Sequence, residues 1–194
     1  MSKILLVLLT SIFVTGCSLD LKSDKPIENG MIQENVQLND IPEFSNEPYT
    51  VLNGNVPLFT DEEITSTETF EEYSDLDGLG RCSVAFANLH QSIMPTEDRE
   101  SIGMVKPSGW KTEKYDFVDG KYLYNRCHLI GFQLAGENAN EKNLITGTRF
   151  LNVEGMLPFE NMVADYIKET SNHVLYRVTP IFKDDELVAR GLIA

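Results

Sequence analysis

The sequence of 194 residues is poor in basic side chains, with 16 lysines and arginines against 30 aspartates and glutamates. The formal charge of −14 at first argues against a polyanionic ligand, because phosphate binding relies largely on lysine and arginine. No internal repeat or low-complexity tract is evident, and only three cysteines are present. The length and the 42% hydrophobic content suffice for one globular domain with a sizeable core and only just for two. We therefore expect a single folded domain.

No apolar run is long enough to span a bilayer comfortably as a helix, the N-terminal one from Ile4 to Val14 included. That run follows Met-Ser-Lys and precedes Thr15-Gly16, which is the charged, apolar, small order of an export signal. Val14-Thr15-Gly16-Cys17 also resembles the bacterial lipobox, in which the cysteine is acylated and becomes the new N terminus. We expect residues 1–17 to be a lipoprotein-type signal peptide and a lipid on Cys17 to anchor the protein at the outer face of the membrane. A short signal anchor is the alternative.

Composition predicts the boundaries of the folded domain. Residues 18–48 are polar and acidic, without an apolar period, as expected of a flexible tether. The domain is therefore expected over residues 49–194. The chain ends inside an apolar run, which leaves open a domain that is truncated at its C terminus. Cys82 and Cys127 form an even pair in an exported chain, and a disulfide and two unpaired core thiols are equally good readings.

Turn residues and apolar patterns divide the domain into elements. Segments 49–52 and 56–59 flank Asn53-Gly54-Asn55 and predict a hairpin, and Thr60 with Glu63 three residues later predicts a capped helix. The other predicted elements are a core strand or helix at 82–89, a hairpin with strands at 115–118 and 122–124 around Asp119-Gly120, a polar loop at 136–142, a segment at 143–152 that leads into a short helix ending near Gly155, a helix from about Pro158 to Glu169, and paired strands at 174–182 and 187–194.

One ordered set of residues has the chemical logic of phosphodiester hydrolysis. It consists of Asn125-Arg126-Cys127-His128 followed by Asn143, Asn152 and Glu160. The reaction needs a base for water, a metal to neutralise the phosphate, and a cation for the developing charge. A neutral imidazole can be the base, and the carbonyl oxygen of Asn152 suits Mg²⁺. Arg126 can grip a phosphate with two hydrogen bonds.

The acidic average hides a basic segment around this set. Residues 99–149 contain eight basic side chains and six acidic ones, whereas the acidic excess lies before Leu79 and at the end of the chain. A locally basic face on an acidic body would suit an enzyme that touches nucleic acid and releases it. No segment resembles a base-reading module, so we expect little sequence preference.

Three segments of this region resemble the active site of a known family. They are Tyr124 to Gly131 (YNRCHLIG), Gly136 to Asn140 (GENAN) and Asn143 to Asn152 (NLITGTRFLN). They are similar to DNA/RNA non-specific endonucleases of the ββα-metal, or His-Me finger, group, and within it to surface and secreted nucleases of Gram-positive bacteria. In that family an Asp-Arg-Gly-His motif closes a β-hairpin, and an asparagine on the next helix binds the metal. The resemblance covers roughly residues 79–182 and implies an α+β fold with an antiparallel sheet and a ββα-metal finger.

The resemblance implies a role for each residue of the set. His128 would be the general base, and Asn152 would be the protein ligand of Mg²⁺, for which Mn²⁺ can substitute. Asn143 would orient the site, and Glu160 would fix water on the metal. Arg126 would contact the phosphate or stabilise the transition state.

Two positions depart from the family motif. Asn125 stands where many members have aspartate, which removes a carboxylate but leaves an amide that can orient a neighbour. Cys127 stands where the family usually has glycine. It is expected to be a packed small residue or a disulfide partner, and not a nucleophile. His90 and His173 are expected to be structural.

The sequence therefore predicts a metal-dependent endonuclease that cuts DNA, with RNA left open as a second substrate. Nucleic acid would be its substrate, the N-terminal lipid would bind the membrane, and no small-molecule cofactor is expected. The alternative is a non-catalytic surface lipoprotein that binds polyanions or a protein partner, its site decayed at Asn125. Retention of His128 together with Asn152 argues against decay.

Overall fold

The computed structural model describes residues 41–194, so the predicted signal peptide, Cys17 and the tether as far as residue 40 lie outside the described residues. Six strands are present in this part: β1 (Phe70–Tyr73), β2 (Ala85–Leu89), β3 (Tyr124–His128), β4 (Leu144–Thr148), β5 (Val174–Ile181) and β6 (Gly191–Ile193). The helices are α1 (Asp61–Thr65), α2 (Phe132–Ala135), α3 (Leu157–Thr170), three 3₁₀ turns (Asn53–Asn55, Gln91–Ile93 and Glu141–Asn143) and a π-helical segment (Leu151–Met156). None of these helices is long and apolar enough to cross a membrane.

The larger sheet is antiparallel and has the strand order β1-β2-β5-β6. All five residues of β2 are buried, and this strand is paired on both sides. The apolar stretch at 82–89, which the sequence left open between strand and helix, is therefore a central strand. The predicted strand at 174–182 is confirmed as β5, and β6 is its partner within the predicted 187–194.

A second, two-stranded sheet is formed by β3 and β4, with His128 opposite Leu144 and Arg126 opposite Thr146. The hydrophobic core joins this hairpin to the larger sheet and to α3. Its fully buried members come from the larger sheet (Leu89 and Val178), from the hairpin and the residue after β3 (Ile145 and Leu129), and from α3 (Ala164 and Ile167). The core thus fixes the hairpin and the following helix against one rigid sheet.

The predicted hairpin at 49–59 is wrong. Residues 53–55 form one 3₁₀ turn with positive φ values, and the flanking Tyr49, Val51, Val56 and Leu58 are exposed and unpaired by any strand among the described residues. A two-stranded hairpin with no covered face is marginal in water, which explains why the alternation alone did not produce one. The helix cap that follows is confirmed, because Thr60 and Glu63 form a reciprocal capping box at the start of α1.

Strand pairing around the motif differs in part from the prediction. The hairpin around Asp119-Gly120 is present, but its arms are joined at a single bridge between Lys114 and Tyr122, and the segment 115–118 belongs to its turn and is not a strand. Residues 144–148, to which the sequence assigned no element of their own, are strand β4, in agreement with the β-branched Ile145, Thr146 and Thr148. The partner of β3 is therefore β4, and the helix predicted from Pro158 is confirmed as α3, continuous with the π-helical segment before it.

Both cysteines of the described region are free and buried. Burial raises the pKa of the Cys127 thiol to about 12 and that of Cys82 to about 11, so both stay protonated at neutral pH. Cys127 lies against Gly147, where a Cβ would stand 2.7 Å from its sulfur. Of the two readings that the sequence left open, unpaired core thiols are the observed one.

The amide of Asn143 clamps the chain just after β3. Its Oδ1 accepts a hydrogen bond from Ile130 N at 2.9 Å, and its Nδ2 donates to Ile130 O at 3.0 Å. Asn143 is fully buried, and its own carbonyl accepts from Leu129 N at 2.9 Å. One side chain thus satisfies both polar groups of a buried peptide segment that water does not reach.

Replacement of Asn143 by alanine leaves the buried N–H and C=O groups of Ile130 without partners. We expect Asn143→Ala to lower the free energy of unfolding on the order of 3 kcal/mol, measured by urea denaturation. Asn161→Ala on the exposed side of α3 is the matched control and should change it by less than about 0.5 kcal/mol. Equal losses of stability in the two variants would show that the buried hydrogen bonds of Asn143 stabilise the fold no more than an exposed side chain does.

Candidate active site

Strand β3 presents two chemically different faces. Because side chains alternate along a strand, Tyr124, Arg126 and His128 share one face, and Asn125 and Cys127 share the other. The completely buried Cys127 marks the second face as the one that packs on the core. Arg126 and His128 therefore form the candidate site, whereas both departures from the family motif lie on the opposite face.

His128 is the last residue of β3, and only 6% of its surface is exposed. Its Nε2 lies 2.7 Å from the backbone oxygen of Asn138. A carbonyl oxygen only accepts hydrogen bonds, so Nε2 carries the proton and the lone pair of the neutral ring is on Nδ1. Burial lowers the pKa of His128 below the usual imidazole value and the charge of Arg99 lowers it further, although the hydrogen bond to Asn138 acts in the opposite direction.

The loop between α2 and β4 holds the carbonyl that binds His128. It begins at Gly136, whose φ of 72° is in the left-handed region and ends α2. It closes where Asn140 Oδ1 accepts from Lys142 N at 2.9 Å. The buried side-chain oxygen of Asn138 has no hydrogen-bond partner among the described residues, and neither has the hydroxyl of Thr146 opposite Arg126. The loop thus holds one carbonyl that binds His128 and, on the same residue, one buried oxygen without a partner in residues 41–194.

Arg126 is held by the chain segment that precedes the motif. Its Nε donates to Val105 O at 2.5 Å and an Nη donates to Gly103 O at 3.0 Å. The guanidinium carbon also lies 3.7 Å from the ring centre of Trp110. Two of the five N–H groups of this guanidinium therefore hold the 103–105 loop, and the remaining ones are left for a phosphate.

A cleft of about 290 Å³ opens next to that loop. It is lined by Met104 to Pro107, by Leu76 and Gly80, and by Ala139 and Glu141. Val105 is the residue that Arg126 binds, and Ala139 follows the residue that binds His128. The cleft therefore borders both supports of the candidate site.

Asn152 lies in the π-helical segment that directly follows β4. Thr148 Oγ1 accepts from Leu151 N at 3.0 Å and so ties this segment to the strand. The wider turn is closed by Leu157 N, which donates to the backbone oxygen of Asn152. Single π-helical turns are frequent at functional sites. Asn152 is partly exposed, as a side chain that binds an ion or water must be.

Glu160 lies in the first turn of α3, two residues after Pro158. Its carboxylate occupies the space beside Gly131, where a Cβ would stand 2.6 Å from Glu160 Oε2. Burial raises the pKa of Glu160 to about 7, against the lowering effects of a hydrogen bond from Gln133 and of the charge of Arg99. The structure thus brings Glu160 to the turn that follows His128.

Arg99 is a charged residue near the site that the sequence did not single out. Its charge acts on both His128 and Glu160, and among residues 41–194 it forms no ion pair. It lies in an irregular exposed loop, so no periodicity marked it. The only available signal was its place at the start of the basic segment.

The remaining candidates have structural contacts. Arg149 forms two hydrogen bonds to Asp119, at 2.6 and 3.0 Å. The rings of His90 and His173 stack with their centres 4.5 Å apart, and Nδ1 of His173 lies 3.2 Å from the side-chain oxygen of Asn88. Among the described residues, no recorded contact joins these side chains to the residues that line the cleft.

The donor chemistry of the site fits a hard cation. Within residues 41–194 no three histidine, cysteine, aspartate or glutamate side chains converge to hold a metal. Asn152 and Glu160 offer an amide oxygen and a carboxylate, which are oxygen donors of the kind that Mg²⁺ accepts while it keeps most of its waters. These two residues could therefore hold such an ion with water and phosphate in its other positions.

Comparison with solved structures finds the same fold in bacterial nucleases. The NucA structure from Streptococcus agalactiae without metal is 23% identical, with a TM-score of 0.61 over 72% of this chain and 68% of that chain. The magnesium-bound form of NucA gives the same identity and TM-score. The Sda1 nuclease with bound zinc is 29% identical, with a TM-score of 0.53 over 63% and 66% of the two chains. An extracellular endonuclease is 24% identical, with a TM-score of 0.51 over 66% and 61%.

These matches confirm the predicted α+β fold with its antiparallel sheet and ββα finger, which here consists of β3, β4 and the helix that follows. No match is found among curated proteins. The family model for DNA/RNA non-specific endonucleases matches residues 62–194, which include every candidate residue of the site. The chain therefore belongs to the DNA/RNA non-specific endonuclease family, and it is a nuclease.

Proposed function

We propose that this protein is a metal-dependent endonuclease that cuts DNA and RNA without sequence preference at the outer face of the cell membrane. The observation that carries the proposal is the hydrogen bond from His128 Nε2 to Asn138 O, because it leaves Nδ1 as a fixed, unprotonated base. A buried imidazole with a lowered pKa is neutral at neutral pH and can take a proton.

In the proposed reaction, Nδ1 of His128 removes a proton from the attacking water. The resulting imidazolium is stabilised by Asn138 O, since a hydrogen bond to an acceptor favours the charged form of the ring. Asn143 does not touch the substrate, because both of its amide atoms are bound to Ile130, and so it acts as a positioning residue.

Asn152 would hold the metal ion, and Glu160 would orient water beside it. Magnesium is proposed because the donors are hard oxygens, and the magnesium in the NucA structure agrees with this choice. When bound, the ion neutralises charge on the phosphate and on the leaving oxygen. Mn²⁺ has the same ligand preference and should substitute.

Two arginines would have separate roles. Arg99 carries the positive charge that acts on both His128 and Glu160, and we propose that it stabilises the charge that develops on the phosphate. Arg126 is committed to the carbonyls of Gly103 and Val105 and mainly fixes the wall of the cleft, while its remaining N–H groups would be available to a phosphate.

Location at the cell surface rests on the sequence of residues 1–17 and on one similar structure that is described as an extracellular endonuclease. Export would follow from the signal peptide. Retention would follow from the lipid proposed on Cys17, with residues 18–48 as the spacer between membrane and domain.

The roles of His128 and Asn152 can be separated by rescue. We expect His128→Gly to reduce plasmid cleavage by roughly 10²- to 10⁴-fold, because a general base is lost, and added imidazole should restore part of the activity. Asn152→Ala should instead recover at high Mg²⁺ or with Mn²⁺ and ignore imidazole, because it removes a metal contact. The measurement is plasmid nicking with metal ion or with chelator.

His90→Gly and Asn161→Ala are the matched controls and should cleave like wild type. If folded His128→Gly and Asn152→Ala also cleave like wild type, the assigned site is wrong. If the wild-type protein cleaves neither DNA nor RNA with any divalent ion, the non-catalytic lipoprotein that binds polyanions replaces the nuclease.

The pKa of His128 makes a prediction for the pH profile. Because the base acts unprotonated and its pKa is lowered, kcat/KM should rise with pH to a plateau and reach half of that plateau below the ordinary imidazole value of about 6.5. Arg99→Ala should move this midpoint to higher pH and lower the plateau on the order of 10²-fold. The control is Arg190→Ala, which removes an exposed arginine outside the candidate site. An unmoved midpoint in Arg99→Ala would contradict its proximity to the base.

The lipid on Cys17 is tested in cells. We expect wild-type protein in the membrane fraction, with a mature mass that exceeds the polypeptide mass, and Cys17→Ser in the soluble or unprocessed fraction, because stable retention needs two or more acyl chains. Cys82→Ser is the matched control and should fractionate like wild type. Membrane association that survives in Cys17→Ser, without added mass on the wild type, would argue for a signal anchor.

A further inference from the structure

The segment before the catalytic strand forms a short hairpin with aromatic residues at its tip. We call residues 113–123 the aromatic hairpin. Tyr115 N donates to Lys121 O at 2.9 Å, and Leu123 N donates to Glu113 O at 3.0 Å. Gly120 and Lys121 both have positive φ values, 68° and 67°, which close the tip. The hairpin is thus a defined structure and not a loose loop.

The aromatic hairpin is joined rigidly to the ββα finger. Arg149, just after β4, donates its backbone N–H to Leu123 O at 2.7 Å, and its guanidinium binds Asp119. The outgoing arm continues into β3, which ends at His128. His128 lies six positions after Tyr122, which corresponds to about 20 Å of extended strand. An extended strand of several nucleotides would reach from His128 to the hairpin.

Two rings at the tip are open to solvent. Phe117 is 85% exposed and Tyr115 is 42% exposed, and their centres lie 5.2 Å apart. The neighbouring ring of Tyr122 is less accessible, because the amino group of Lys114 lies 4.5 Å from its centre and covers one of its faces. Adjacent exposed aromatic rings on a fixed support are typical of a binding surface.

Most of the charges around these rings are paired. Within the described residues, the amino group of Lys111 lies 3.4 Å from the carboxylate of Glu113, that of Lys121 lies 3.1 Å from Asp116, and Arg149 is paired with Asp119, which leaves Lys114 as the one basic group of the hairpin without a carboxylate partner. The surface therefore offers a phosphate group a single unpaired charge. What remains is the flat apolar surface of the rings, which is complementary to the face of a nucleobase.

We propose that Tyr115 and Phe117 form a stacking platform for unpaired bases, so that the enzyme binds single-stranded nucleic acid in preference to duplex. In a duplex the base faces are already stacked on each other and are not available to a ring. The platform binds bases several nucleotides from the bond that is cut. This inference rests on the proposed nuclease function and assigns the preferred state of its substrate.

The test is a binding titration of the full chain carrying His128→Gly, in chelator, so that no cleavage interferes. Fluorescence anisotropy would follow three labelled probes of equal length: a single-stranded oligonucleotide, its duplex, and a single strand with abasic sites throughout. We expect Phe117→Leu to weaken binding of the base-bearing single strand by roughly 10-fold and to leave the abasic probe unchanged. Phe117→Trp, which keeps a ring, should bind like Phe117.

The salt dependence gives a second readout, because loss of stacking removes no phosphate contact. The slope of log affinity against log salt concentration should be the same for Phe117→Leu and its parent. Tyr115→Leu should behave like Phe117→Leu, and Tyr166→Leu on α3, where Tyr166 is 44% exposed, is the matched control without effect.

Equal losses on the abasic probe, a changed salt slope, or unchanged binding in Phe117→Leu would each overturn the platform. Its failure is distinguishable from failure of the proposed function. If wild-type protein cleaves nucleic acid while Phe117→Leu binds normally, only the platform is wrong. If wild-type protein cleaves nothing, the nuclease proposal fails, whatever the binding data show.

Discussion

The site depends on one hydrogen bond, from the buried imidazole of His128 to the backbone oxygen of Asn138. Burial of a histidine disfavours its charged form, so the ring stays neutral, and the bond decides which nitrogen carries the lone pair. That arrangement requires the Asn138 carbonyl to stay in place. The left-handed Gly136 at one end of the loop and the buried amide of Asn143 at the other provide this constraint. Asn143 binds the chain at Ile130, two residues after His128, so strand and loop are locked together.

Both departures from the family motif lie on the face of β3 away from His128, which explains why they are compatible with an intact site. Cys127 fills space next to Gly147, and a side chain at position 147 would collide with its sulfur. The larger residue at 127 and the glycine at 147 therefore form a packed pair across the hairpin, since neighbouring core residues must share a fixed volume. Asn125 also pairs with Gly147 in the register, on that same face.

The sequence predicted those elements whose signals are local and strong. The capping box at Thr60, the amphipathic α3 and the alternating β5 each depend on residues within one element. Strand β4 was not predicted, because its few apolar residues lie directly before a helical pattern and show no clear alternation of their own. Its state is decided by pairing with β3, a contact between distant parts of the chain. Arg99 was missed for the same reason, because only tertiary structure brings an irregular loop to His128.

The acidic composition limits how this nuclease can hold a polyanion. Four of the basic side chains near the site are each paired with a carboxylate: Lys111, Lys121, Lys142 and Arg149. Their electrostatic attraction for a distant phosphate is therefore weak. These paired side chains contribute little counterion release, and the net charge of −14 opposes approach of the substrate. Affinity must therefore also come from short-range contacts at the site and from apolar surfaces. Stacking of bases on exposed rings satisfies this requirement, because it needs no attraction between charges.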